Sequence, residues 1–127
     1  MKRSICIAVL LSFLLCGCDG QQYEAGTFSY TEHCAEYANA ELGVSILEPQ
    51  GQKKVRVRNA DDAVAVAMKY CVIRSPEISV AFDEYTGVYC VGFIYARQVD
   101  GRTVYGTGGQ TVYLNEDGIV LLDIVGE

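Results

Sequence analysis

Six cysteines and a single histidine are spread over 127 residues, so thiol nucleophiles, metal ligation and Cys-His catalysis are the first chemistries to weigh. His33 and Cys34 are neighbours in sequence. On a helix adjacent side chains diverge by about 100°, so these two do not form a nucleophile-base pair with each other. A Cys-His arrangement could still use Cys71 or Cys90, but no local motif asks for it, and His33 reads as a solvated surface residue. No CxxC or Cys/His spacing fits zinc, and no iron-sulfur or redox motif occurs. Glu32 and Glu36 lie four apart on a helix, the pattern of solvated surface carboxylates. The stretch "YGTGGQ" at 105–110 has the glycines of a phosphate loop. Such loops join a strand to a helix N-terminus, whereas here a strand continues through Thr111-Val112-Tyr113-Leu114, so a bulge or bend is expected. Nine Tyr without a Trp would allow sugar stacking, yet Tyr89, Val91, Phe93 and Tyr95 alternate onto one strand face and read first as core. The expectation is a protein that is not an enzyme, with no cofactor and no metal.

The N-terminus speaks of address. Met1-Lys2-Arg3 is a positive start, and Ile5 to Leu15 are 11 residues, apolar apart from Ser12. That is a secretory signal layout, shorter than the roughly 20 apolar residues a spanning helix needs. Leu15-Cys16-Gly17-Cys18 resembles the lipobox of bacterial lipoproteins, with Cys16 where Ala, Ser, Thr or Val is usual. The resemblance implies that residues 1–17 are removed and that Cys18 becomes the lipidated first residue. A diacylglyceryl and an N-acyl group then anchor it, at about 0.8 kcal/mol per buried methylene. Asp19 looks like the sorting residue that holds many such lipoproteins at the inner membrane. The implied location is the bacterial cell envelope, tethered to the membrane and facing the periplasm. The alternative is ordinary signal cleavage nearby.

Taking residues 1–17 from 127 leaves 110, and taking Lys2 and Arg3 from ten cations set against sixteen acids leaves a net charge of −8. That length builds one domain. Nucleic acid is excluded as a natural partner because phosphate neutralisation needs clustered cations; a basic protein suits the charge better. The one cationic stretch, Lys53-Lys54-Val55-Arg56-Val57-Arg58, alternates. It puts both Val on one strand face and both Arg on the other, reading as a charge-protected edge strand or as a patch for anionic headgroups. With Cys18 taken by lipid, Cys34, Cys71 and Cys90 remain for one disulfide in an oxidising compartment. Cys90 should sit opposite about residue 81, some 13 Å from the start of that strand beside Cys71. Bridged Cα atoms lie within about 7 Å, which disfavours Cys71–Cys90; Cys34 and Cys71 both occupy apolar helix stripes, and theirs is the expected pair.

The elements that must position these residues follow from periodicity. Residues 18–28 read as lipidated Cys and flexible tether, and 29–127 as a single domain. Ser29 with Glu32 makes a capping-box pattern, and Tyr30, Cys34, Tyr37, Ala38 and Leu42 form one helical stripe ended at Gly43. "VSILEPQGQKKVRVR" reads as two short strands about a Pro49-Gly51 turn. Asn59 caps a second helix with Asp61 and Asp62 in its first turn; small apolar residues from Ala63 to Met68 pack it closely on a sheet, and Ser75-Pro76 stops it. Strands then turn at 84–87, at Asp100-Gly101 and at 116–118. The fold class is α+β: two helices packed on one face of a mainly antiparallel four-stranded meander, with a short extra hairpin.

From Asn59 onward "DDAVAVA" at 61–67, "EYTGVYCVGF" at 84–93 and "GGQTVYLNEDGIVLLDIVG" at 108–126 resemble small bacterial immunity proteins with a nuclear-transport-factor-2-like fold, with Tyr89 where those often carry Trp. Helix plus meander is also similar to PepSY-like inhibitory domains. The resemblance implies a lipid-anchored envelope protein that binds and neutralises a toxin, a basic hydrolase suiting its charge. An envelope-assembly or structural lipoprotein and a PepSY-like protease inhibitor are the alternatives. The partner-binding candidates are Glu84, Tyr85, Asp100, Glu116 and Asp117, acidic and Tyr-bearing residues at the strand connections.

Overall fold

The computed structural model describes residues 22–38, 43–46 and 50–126, without the side chains of 35–38, 43–46 and 107. Cys18, Asp19, Leu42 and Pro49 lie outside the described residues, as do the side chains of Tyr37 and Ala38. The chain runs β1 (Ala25–Thr27), α1 (Tyr30–Ala38), β2 (Gly43–Ile46), α2 (Ala60–Ala67), a 3-10 turn (Met68–Tyr70), β3 (Pro76–Asp83), β4 (Val88–Val99), β5 (Arg102–Asn115) and β6 (Val120–Val125). No described helix is long and apolar enough to cross a membrane.

The expected α+β class is observed, with six strands in one sheet ordered β1-β3-β4-β5-β6-β2. The antiparallel run from β3 to β6 is the meander, and Ala81 does face Cys90. Two strands extend it. β1 pairs parallel with β3, Ala25 beside Val80, so the sheet takes up residues read as tether. Tyr23 packs into the core and its N–H reaches Asp61 Oδ1 at 2.9 Å. β2 pairs antiparallel with β6, Gly43 beside Val125; Gly43 thus opens a strand in place of ending a helix.

The basic segment does not pair with β2. It runs extended across one end of the sheet as a strap, Val55 and Val57 each giving an N–H at 2.9 Å to the carbonyls of Asp117 and Glu116. Gln52 leads into it by closing both ways on Val120, N–H to Oε1 at 2.8 Å and Nε2 to carbonyl at 2.9 Å. The edge of β6 is already filled by β2, which leaves the strap the turn carbonyls as partners. Val57 is 2 % exposed, while Val55, expected on the same inner face, is 39 % exposed.

Both helix starts form as their caps require. Ser29 Oγ accepts the Glu32 N–H at 3.4 Å, and Asn59 Oδ1 accepts the Asp62 N–H at 2.9 Å. The helices, expected on one face, lie on opposite faces. α2 packs through Ala63, Val64, Val66 and Ala67 with Val80, Tyr89, Val91, Phe93, Val112 and Leu114. α1 packs through Tyr30 on a second cluster of Val88, Tyr113 and Ile124. Alternate strand residues project to opposite faces, and the central strands are apolar on both. One helix cannot keep both from water. Ala63 and Ala67 let α2 approach the sheet, and a larger side chain at either would overpack by about 1–3 kcal/mol.

The glycines of 106–109 mark a break in register, as expected: β4 and β5 fall out of step between Ile94 and Ala96, and Gly108 adopts φ +94°. Asp100 and Gly101 adopt φ of +52° and +78°, the conformation of a two-residue hairpin turn.

Candidate functional site

In an antiparallel meander successive turns fall at alternate ends, and this separates the five partner-binding candidates. Glu84 and Tyr85 in the β3–β4 turn and Glu116 and Asp117 in the β5–β6 turn share one end of the sheet. A Cβ on Gly87 would stand 2.5 Å from Glu116 Oε1, which puts the two turns in contact. Asp100 belongs to the other end: β4 carries it twelve residues from Val88 to Val99, roughly 36 Å at about 3.3 Å per residue. The expected cluster is thus four residues, with Asp100 excluded.

The acidic end is rigid because polar side chains satisfy its backbone. Asp83 is buried and accepts the N–H of Tyr30 at 2.9 Å, the N–H of Tyr85 at 3.0 Å and the Thr86 hydroxyl at 2.7 Å. The bond from Tyr30 first, then that from Thr86, holds its carboxyl below the usual carboxylate value against the opposing effect of burial. Asn115 Oδ1 accepts the N–H groups of Asp117 and Ile119, both at 3.0 Å, an Asx turn. Burial, then the charges of Glu116 and Asp62, raise the pKa of Tyr89 beneath them. Above this frame Tyr85 is 99 % exposed, a large ring left in water at the tip of a fixed turn.

The strap adds an opposing charge. Lys54, Arg56 and Arg58 line one open depression with Glu116 and Asp117, so the β5–β6 turn is partly matched from within the chain. The backbone N–H of Arg58 is accepted by Asp62 Oδ2 at 2.9 Å.

A second constellation lies on the α1 face, outside the five expected residues. His33, expected at the solvated surface, is half-buried, its Nδ1 3.0 Å from the Tyr113 hydroxyl. Tyr113 also hydrogen-bonds the thiol of Cys90, whose pKa burial pushes up to about 11 against the effect of that bond. Tyr30 and Tyr113 lie with ring centroids 5.5 Å apart, and burial, then the bond to Cys34, push Tyr30 up to about 12. Beside this cluster lies an open groove of about 340 Å³, whose lining includes Cys90, Gly92, Ile94, Gly109 and Thr111. Through Tyr113 these bonds join His33 of α1 to Cys90 of β4 and form a hydrogen-bonded seat for the helix. The available signal was parity: Val88 and Cys90 alternate with the core row Tyr89-Val91-Phe93, onto a face that also needed a cover.

The expected Cys34–Cys71 bridge is not formed. Cys34, Cys71 and Cys90 are all free thiols. Cys34 bonds Tyr30 on the α1 face, whereas Cys71 packs with the α2 cluster and donates to the Ile73 carbonyl at 3.3 Å. The second helix, expected to run to Ser75-Pro76, ends at Ala67 with a 3-10 turn to Tyr70, so Cys71 lies beyond it on the α2 face while Cys34 lies on the α1 face. Among the described residues no group of His, Cys, Asp and Glu is placed to hold a metal ion.

No protein-family model, no curated protein and no solved structure matches this chain.

Proposed function

We propose that this chain is a lipid-anchored envelope protein that binds and neutralises a toxin without catalysis, Cys18 carrying the lipid and Asp19 holding it at the inner membrane. The observation that carries the binding role is the acidic end. Two turns from different parts of the meander are braced together, and they present Glu84, Glu116 and Asp117 around a fully exposed Tyr85. A pre-ordered acidic surface with an aromatic anchor loses little entropy on binding, and its charge speeds encounter with a basic partner. The order of α2 followed by the β3–β6 meander supports the resemblance of residues 59–126 to immunity proteins of the nuclear-transport-factor-2-like fold.

The test is a growth competition between the parent strain and one lacking the chain. The deletant is inhibited beside its parent and is rescued by the wild-type chain, but not by Cys18→Ser or by Glu84→Gln/Glu116→Gln/Asp117→Asn. Fatty-acid labelling checks the anchor separately: label is lost in Cys18→Ser and kept in Cys16→Ser. A deletant that grows as well as its parent at every ratio sinks the neutralisation reading, whatever the label shows.

A further inference from the structure

β4 and β5 outrun their neighbours. β3 begins at Pro76, opposite Tyr95, and β6 ends at Val125, opposite Gln110. Residues 96–105 therefore form a two-stranded arm, and among the described residues no strand lies beside Arg102–Gly106 on its outer side. A bare two-stranded ribbon is marginal in water, and an open edge presents unpaired N–H and C=O groups.

The side chains of this arm are unusual for an exposed edge. Val99, Val104 and Tyr105 are all exposed, Tyr105 at 56 %, as are Ile94 and Tyr95 at the arm's base. Cross-strand pairs set Arg97 beside Val104 and Val99 beside Arg102, a checkerboard of cation and apolar side chain on one face. Two devices stiffen it: Tyr95 covers Gly106, where a Cβ would stand 2.7 Å from the ring, and Tyr105 hydrogen-bonds Glu77. Exposed Arg74 lies two residues before Pro76 at the arm's base. At this end of the molecule, farthest from the acidic turns, Arg74, Arg97 and Arg102 stand with apolar surface and outnumber the acids Glu77 and Asp100.

We propose that the β5 edge of this arm, Arg102 to Gly106, docks an extended acidic segment of a protein partner by strand addition. Backbone groups of the segment complete the open edge; its alternate side chains fall on two faces, the carboxylates on the face of Arg102, with Arg97 across the arm, and the apolar side chains on the opposite face beside Tyr105. The open backbone row favours a peptide over a lipid surface, because headgroups do not form a ladder. The proposal goes beyond the acidic end and does not depend on it.

The full chain in detergent micelles is titrated, by fluorescence anisotropy, into a labelled octapeptide of alternating Glu and Val, its Lys-Val counterpart, and a Glu-Val peptide N-methylated at every second residue. The Glu-Val peptide binds at least tenfold more tightly than the other two, and Arg97→Gln/Arg102→Gln weakens it at least tenfold while circular dichroism is unchanged. No binding of the Glu-Val peptide overturns the proposal, as does equal binding of the Lys-Val or N-methylated peptide. Binding to phosphatidylglycerol vesicles that is lost in the arm variant assigns the arm to the membrane. A dimer in sedimentation that the same variant abolishes assigns it to a second copy. Either of these overturns the proposal too.

Discussion

Asp83, the last residue of β3, accepts the backbone N–H of Tyr30, the first residue of α1, at 2.9 Å across 53 positions of sequence. One carboxylate therefore ties the turn that carries Tyr85 to the helix that covers the far face of the sheet. The first-turn N–H groups of a helix lack intrahelical partners, and a negative charge there also complements the helix dipole.

This bond makes stability sensitive to acid. The folded pKa of Asp83 is lowered from an ordinary value of 3.8, so its contribution is complete above that value and is lost as pH falls through the folded one. In urea titrations at pH 6 and pH 3, the parent loses more stability between the two than Asp83→Asn does. Equal losses would mean that other carboxylates carry the acid response.

Charge at the acidic end should act through association rate. Neutralising Glu84 should slow association with a basic partner at low salt more than neutralising Glu116 or Asp117, which share their depression with Lys54, Arg56 and Arg58. Asp100→Asn, at the far end, should leave the rate unchanged. Stopped-flow rates at two salt concentrations decide this, and an Asp100 effect as large as that of Glu84 would remove the turn pair from the interface.

Gly118 has φ +71°, and a Cβ there would stand 2.4 Å from the Val55 carbonyl oxygen. Gly118→Ala should therefore strain the turn and lift the strap, costing about 1–3 kcal/mol. Thermal unfolding measures the loss, and hydrogen exchange should show the Val55 and Val57 amides losing protection first.

Gln110 is 1 % exposed. It gives Nε2 protons to the Tyr70 carbonyl at 2.7 Å and Asp123 at 2.8 Å, and accepts the Val72 N–H at 2.9 Å. Gln110→Leu leaves these groups without their partner, and about 2–4 kcal/mol of stability should go. Denaturant midpoints at constant slope measure this. A loss under about 1 kcal/mol would mean that water replaces the amide.

All three thiols of the domain should titrate with a thiol reagent in the unfolded, unreduced protein. In the folded protein Cys90, raised from an ordinary 9.0 to about 11, should be alkylated about a hundredfold more slowly at pH 8 than an ordinary thiol, because the thiolate is the reacting form. Mass mapping that finds Cys90 modified at the ordinary rate would refute its burial.

Local features were legible in the residues. Ser29 and Asn59 cap helices because a short polar side chain is all that an N-cap needs. Asp100-Gly101 turns because two adjacent positions must take positive φ. Even the opposition of Ala81 and Cys90 follows once the turn between β3 and β4 is placed. The candidate site was legible only as a list: each acidic turn could be seen, but not that two of them touch.

What the sequence alone determined is therefore what depends on neighbours along the chain: strand alternation, caps, turns and the bulge at 106–109. Tertiary structure decided everything that depends on which surfaces remain to be covered. The second apolar row, Val88, Tyr113 and Ile124, drew α1 to the face opposite α2, which separated Cys34 from Cys71 and set His33 on Tyr113. With β2 filling the edge of β6, the basic segment became a strap on the β5–β6 turn. The antiparallel order sent Asp100 to the opposite end from Glu84. The physical reason is one of range: caps and turns satisfy backbone groups within a few residues, whereas burial is settled by competition among segments far apart in sequence for the same two faces and edges of one sheet.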